Sequence, residues 1–198
     1  MTALRVLIAE DEPAVAASLA EQIKGLGHQV IGEAATGAEA VRLAEQMGPD
    51  VVLMDIKMPD LDGIEAARRI AQRRPLPVVF LSGHFDEGLL EGVVEAGGMA
   101  YLLKPATSAQ LWTALELACR RFGELADLRE QAARLEEALE TRKLLSQAKG
   151  LLIERHGLSE QEAHRRMQKE ASRRNLKLAE VARAVLTAGA LLGDPGDG

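Results

Sequence analysis

Apolar residues follow two rhythms along this chain. In the first half they form short unbroken runs: Leu4 to Ala9, Asp50 to Asp55 around Val51-Val52-Leu53-Met54, and Pro77 to Ser82. Runs of this length, bounded by turn residues, predict strands buried on both faces of a parallel sheet. His28 to Ala34 and Ala100 to Leu103 predict two more strands. Between the strands, apolar positions step by three and four. Pro13 suits the first turn of a helix that carries Val15, Leu19, Ile23 and Leu26 and is closed by Gly27. Gly37 to Met47, Asp62 to Arg74 and Asp86 to Ala96 predict three further helices, and Thr107 opens a fifth. This alternation predicts an α/β domain, a five-stranded parallel sheet with helices on both faces.

The fifth helix has no stop signal. Leu111, Leu115, Ala118, Phe122 and Leu125 continue, after one skipped beat, as Leu128, Ala132, Leu135 and Leu139. Residues 124–140 are rich in Ala, Leu, Glu and Arg, which predicts a long helix or short coiled coil. Its narrow stripe reads equally as a dimer seam or as packing against the chain's own later helices. Leu144, Leu145, Ala148, Leu151 and Leu152 share one helical face, which ends at His156-Gly157. Ser159 to Glu162 spells a capping box for a helix with Ala163, Met167 and Ala171 inward. Asn175 is a left-handed cap, and Leu178, Val181, Ala182, Val185 and Leu186 make one more helix. An all-α three-helix bundle follows. The expected layout is an α/β domain over 1–122, a helical linker over 123–138, the bundle over 139–192 and a disordered tail over 193–198.

Composition narrows the setting. The single cysteine, Cys119, rules out a disulfide framework and points to a reducing compartment. No apolar run approaches a membrane span and no secretory leader is visible, so a cytoplasmic, soluble protein without membrane attachment is expected. Charge is split: residues 141–183 hold 11 Lys/Arg against 5 Asp/Glu, while the whole chain is −6. The basic segment suits a polyanionic partner.

The predicted strands end on chemistry. The first gives Glu10 and Asp11, the third Asp55, the fourth Ser82, and the fifth Lys104 before Pro105. The carboxyl edge of an open α/β sheet is where ligands bind. No glycine-rich fingerprint follows the first strand, which disfavours a dinucleotide. Three converging carboxylates resist ionisation unless a cation sits among them, and an all-oxygen set suits Mg²⁺. An aspartate beside Mg²⁺, a lysine and a hydroxyl is equipped to accept a phosphoryl group.

Leu7-Ile8-Ala9-Glu10-Asp11-Glu12-Pro13, Met54-Asp55-Ile56-Lys57-Met58-Pro59 with Asp62-Gly63, Leu81-Ser82-Gly83 and Ala100-Tyr101-Leu102-Leu103-Lys104-Pro105 together resemble the receiver domain of two-component response regulators. The resemblance covers about residues 4–122 and implies a flavodoxin-like fold. It implies that Asp55 is the phospho-acceptor and that Ser82 and Lys104 hold the phosphoryl oxygens. Asp11 and Asp55 would bind Mg²⁺ directly, Glu10 through water and Lys57 through its backbone carbonyl. Tyr101 would be an aromatic switch coupled to Ser82, and a cis bond is expected before Pro105. The implied partner is a sensor histidine kinase. The chain would be no enzyme beyond promoting its own phosphoryl transfer and autodephosphorylation.

Lys149, Arg155, Arg165, Arg166, Lys169, Arg173 and Arg174 cluster around the middle helix of the bundle, and no aromatic residue lies beyond Phe122. A helix-borne basic face for folded RNA, or for DNA, is left, and a base-stacking sheet is not. Leu139-Glu140-Thr141-Arg142-Lys143, Ala148-Lys149-Gly150, His156-Gly157-Leu158-Ser159-Glu160, Glu162-Ala163, Ala171 and Leu178-Ala179-Glu180-Val181-Ala182 resemble the ANTAR domain. His164 and Ser172 depart from its usual pattern. The two resemblances together, of the actinobacterial receiver–ANTAR type, imply a phosphorylation-dependent antiterminator that binds paired RNA hairpins in leader transcripts, and the interrupted stripe from Leu111 to Leu139 adds the expectation of a phosphorylation-dependent homodimer. A DNA-binding regulator and a protein-interaction module are the alternatives.

Overall fold

Strands Arg5–Ala9 (β1), Gln29–Ala34 (β2), Val51–Asp55 (β3), Val78–Ser82 (β4) and Ala100–Leu103 (β5) form one parallel sheet in the computed structural model, which describes residues 3–84 and 87–191. The strand order is β2-β1-β3-β4-β5. Every residue of β3 and β4 is buried, because helices cover both faces of the sheet centre. β2 and β5 lie at the edges and are only partly covered.

Helices Pro13–Gly25 (α1), Gly37–Met47 (α2), Gly63–Arg73 (α3) and Glu87–Glu95 (α4) connect the strands, and Ser108–His156 (α5) follows β5. Val6, Ile8, Leu53, Val79 and Leu81 point to one core, with Leu19 and Ile23 of α1 and Leu111, Leu115 and Ala118 of α5. Leu7, Val52, Met54 and Phe80 point to the other, with α2, α3 and α4. The alternating positions thus feed opposite faces, as the two-residue period of a strand requires. Asp86 of the predicted fourth helix lies outside the described residues, as does the predicted tail 193–198.

The chain order reverses around β1, which lies between β2 and β3. A crevice therefore opens at the carboxyl ends of β1 and β3. Local sequence tightens this point. The Asp62 side chain caps α3 by accepting from the Glu65 N–H at 2.8 Å. Gly63 presses against the end of β3 so closely that a Cβ there would overlap the carbonyl oxygen of Asp55.

The chain divides into two units, residues 1–127 and 128–198. In the second, the end of α5 packs with Glu160–Arg174 (α6) and Leu178–Leu191 (α7) around Ala148, Leu152, Ala163, Met167, Val181 and Ala182. Gly157 stops α5 with φ +64°, and Ser159 and Glu162 form both halves of the capping box. Asn175 caps α6 in the left-handed region. Leu128, Leu135 and Leu139 of α5 are 60%, 66% and 67% exposed. That stripe is not covered by the helices that follow it. Among the described residues, no helix is long and apolar enough to cross a membrane.

Candidate functional site

β1 pairs with β3 so that Ala9 lies opposite Met54, which brings Glu10 beside Asp55. The Ile56 N–H donates to Leu81 O at 3.1 Å, and the Lys104 N–H donates to Ser82 O at 2.8 Å. The main chain alone therefore gathers the ends of four strands. One oxygen from each of Glu10, Asp11 and Asp55 lies within 4.8 Å of the others. Glu10, Asp55 and Ser82 are buried, while Asp11 faces solvent and leaves the cluster open. Lys57 is exposed in the loop after β3.

Lys104 reaches over this cluster. Its Nζ lies 2.6 Å from Glu10 Oε2 and 2.9 Å from Asp55 Oδ2. Asp55 Oδ1 has no protein partner among the described residues. Burial and the Asp55 charge push the Glu10 carboxyl above its ordinary range, against the pull of the Lys104 ammonium. Burial alone would lower Lys104, but its bonds to the two carboxylates outweigh that and raise it. Three carboxylates against one ammonium leave an ionised cluster two charges negative. Glu10 Oε2 is also buried without a hydrogen bond of normal geometry. A hard divalent cation fits both facts, and the all-oxygen donor set with an open solvent side fits Mg²⁺.

The switch candidates meet at an atom the sequence did not reveal. Ser82 Oγ donates to the His84 carbonyl at 2.8 Å, and Tyr101 Oη donates to the same carbonyl at 2.7 Å. A main-chain oxygen carries no sequence signal beyond its position two residues after Ser82. The Lys104–Pro105 bond is cis, as expected.

Residues 6–116 match the family model of the response regulator receiver domain, and residues 133–186 match that of the ANTAR domain. The chain is 46% identical over 193 residues to the transcriptional regulatory protein PdtaR of Mycobacterium tuberculosis, covering 98% of this chain and 93% of that protein. The chain belongs to the receiver–ANTAR response regulators. It is a phosphorylation-responsive regulator that acts through an RNA-binding ANTAR output domain, so its input is phosphorylation by a kinase. Its Glu10–Asp11–Asp55 cluster is typical of the Mg²⁺-binding phosphoaspartate site of receivers. The receiver fold is that of non-catalytic response-regulator domains. LiaR of Bacillus subtilis is 38% identical over 119 residues, 59% of this chain and 56% of that protein. The receiver of a modulated diguanylate cyclase from Desulfovibrio desulfuricans G20 superposes with a TM-score of 0.58 at 34% identity, covering 62% of this chain and 98% of that one.

In the ANTAR unit the predicted cations differ in what they already hold. Lys149 pairs with Glu160, and Arg155 donates at 2.9 Å to Gly189 O, one of the carbonyls left open at the end of α7. Arg173 and Arg174 both bond Glu170, whose carboxyl is held below its ordinary range by Arg173 first. Arg165 makes a long bond of 3.5 Å to Gln161 O. Arg166 and Lys169 are exposed and have no hydrogen bond or ion pair among the described residues.

Proposed function

We propose that Asp55 accepts a phosphoryl group from a sensor histidine kinase and that the phosphorylated chain binds RNA hairpins as a transcription antiterminator. The observation that carries the acceptor assignment is Asp55 at the switch-point crevice. One of its oxygens is held by Lys104, and the other is free of protein bonds among the described residues. Asp55 Oδ1 attacks phosphorus, the N–P bond of the donor phosphohistidine breaks, and the imidazole leaves with the electron pair. Asp11, Asp55, Glu10 and the Lys57 carbonyl would hold Mg²⁺. When bound, the ion supplies positive charge that lets phosphoryl oxygens approach a carboxylate. Lys104 and Ser82 take the phosphoryl oxygens. Ser82 then gives up the His84 carbonyl and leaves it to Tyr101.

The output side runs from residue 139 to 192, with 123–138 as its helical linker. Lys149, Arg155, Arg165, Arg166, Lys169, Arg173 and Arg174 meet RNA phosphates, and the uncommitted Arg166 and Lys169 support this most directly. Leu128, Ala132, Leu135 and Leu139 alternate steps of four and three and are exposed, which supports a short homodimer seam. Two ANTAR domains in one dimer make the second hairpin contact intramolecular, so paired hairpins in a leader transcript bind far better than one. We place the protein in the cytoplasm, with its transcript.

Asp55→Asn tests the reading. It should take no Mg²⁺-dependent label from acetyl phosphate, because the nucleophilic oxygen is replaced by an amide. Stoichiometric label on the variant would remove Asp55 from the role.

A further inference from the structure

The ANTAR unit contains a cavity of about 670 Å³ between α6 and α7, over the end of α5. That size falls within the usual range for small-ligand sites. Its floor is apolar, with Leu152, Met167, Val181 and Val185. Its rim is cationic. Arg166, Lys169 and Arg173 are three and four residues apart on α6, so they stand along one face, with Glu170 among them.

Phosphates alone would be served by a flat basic face. A concave apolar floor inside a cationic rim fits a planar apolar ring flanked by phosphates. The bases of an RNA stem are stacked and cannot reach such a floor, whereas a loop base can be splayed out into it. No aromatic lies on this floor and Met167 is itself buried in the core, so the ring is held by insertion over the partly exposed Val185 and by the guanidinium planes of Arg166 and Arg173. Glu170 gives the rim a direction. Its carboxylate is bonded by Arg173 and Arg174 and keeps lone pairs with which it accepts from an exocyclic amino group, as carboxylates do from cytosine.

We propose that this cavity takes one unstacked, amino-bearing base of a hairpin loop, while Arg166, Lys169 and Arg173 hold the phosphates on either side. This rests on the RNA-binding reading of the ANTAR domain and adds to it a site for the base. Adenine, cytosine and guanine fit, and uracil, which lacks an amino group, does not.

The test uses the full-length chain, phosphorylated with acetyl phosphate and Mg²⁺, and a synthetic stem-loop whose loop is selected on that phosphorylated chain from a randomised pool. Fluorescence anisotropy at fixed salt then measures binding to versions carrying an abasic site at each loop position. One position should lose about tenfold or more in affinity when abasic, consistent with the energy of a single held base. Uracil at that position should lose nearly as much. Glu170→Ala should still bind the selected loop while uracil becomes tolerated at that position, because the discriminating acceptor is gone. A general loss of fold would instead weaken every loop alike. Tight binding with an abasic scan flat to within about threefold, less than a stacked base is worth, overturns the base site and leaves RNA binding standing. Equal uracil discrimination by Glu170→Ala overturns the role of the carboxylate. Failure of the chain to bind any member of the pool at low salt overturns the RNA reading and this inference together.

Discussion

Replacing Lys104 by alanine removes the one ammonium between Glu10 and Asp55, and its consequences can be worked from the geometry. The Glu10 and Asp55 side chains are 1% and 7% exposed, so water replaces it poorly. Removing one partner of a buried pair costs about 3–5 kcal/mol when the other charge is stranded. Here the stranded charge has an exit, because Glu10 can take up a proton. The proton sets a ceiling on the loss of about 1.36 kcal/mol for each pH unit above the ordinary Glu value of 4.5. At pH 7 that is about 3.4 kcal/mol, and at pH 5 about 0.7 kcal/mol. The sign follows from proton counts. Above the ordinary value the folded variant keeps a proton that its unfolded chain releases, so its stability falls as pH rises. The assay is urea unfolding in a chelator, followed at Trp112, the sole tryptophan, which lies in the receiver part of α5. Mg²⁺ should stabilise the variant more than the parent, because the ion can displace the Glu10 proton but not the fixed Lys104 ammonium; at 100-fold excess over its Kd a ligand contributes about 2.7 kcal/mol. An equal loss at the two pH values, or an equal gain from Mg²⁺, would refute the picture of carboxylates sharing one field.

Gly63→Ala should destabilise the receiver by about 2 kcal/mol and slow phosphorylation, since its Cβ must push the end of β3 away. Urea unfolding and labelling rates check both effects, and a neutral variant would deny the close approach. Burial pushes the Cys119 thiol from 9.0 up to about 11, so its thiolate at pH 8 is about 100-fold scarcer than in the unfolded chain. Iodoacetamide labelling followed by mass spectrometry should be slower by that factor in the native protein, and rates within a few-fold of each other would contradict it. Leu135→Glu should abolish phosphorylation-dependent dimerisation by light scattering and leave the helical circular dichroism unchanged, because Leu135 is 66% exposed. A dimer that survives the change places the seam elsewhere.

The receiver half was legible because its information is local and repeated. β3 and β4 are buried on both faces, so they had to be unbroken apolar runs, and their ends had to fall on Asp55 and Ser82. A parallel sheet then carries strand ends to one edge whatever the loops do, which is why Glu10, Asp11, Asp55, Ser82 and Lys104 could be grouped before any distance was known. The His84 carbonyl could not be, since every residue has one and only the fold gives this one two hydroxyl donors. The predicted boundaries differ from the observed ones by a residue where a capping or flanking residue was counted as part of an element, as with Asp62 before α3 and Thr107 before α5.

The ANTAR half separates what periodicity can and cannot carry. The steps of four in Leu144, Ala148 and Leu152 located the buried face, and by elimination the basic face. Elimination treats all seven cations alike, because a helical period says which way a side chain leaves but nothing about what it meets. Arg173 and Arg174 lie three and four residues after Glu170, so their shared acid follows from spacing. Lys149 finds Glu160 across the turn between α5 and α6, and Arg155 finds a carbonyl 34 residues away, and no spacing rule reaches either. The difference matters for function. A cation can pass to a phosphate only what its own protein leaves uncommitted. Lys149 is mostly covered, at 22% side-chain exposure, and helps join α5 to α6, so part of its charge is spent on the bundle. Arg173 and Arg174 share an acid in open water, where such pairs hold weakly and a phosphate competes easily. Among the described residues, Arg166 and Lys169 have no such bond to give up. The seven residues that looked like one surface in the sequence are therefore graded in the fold, and the freest two lie on the rim of the cavity between α6 and α7.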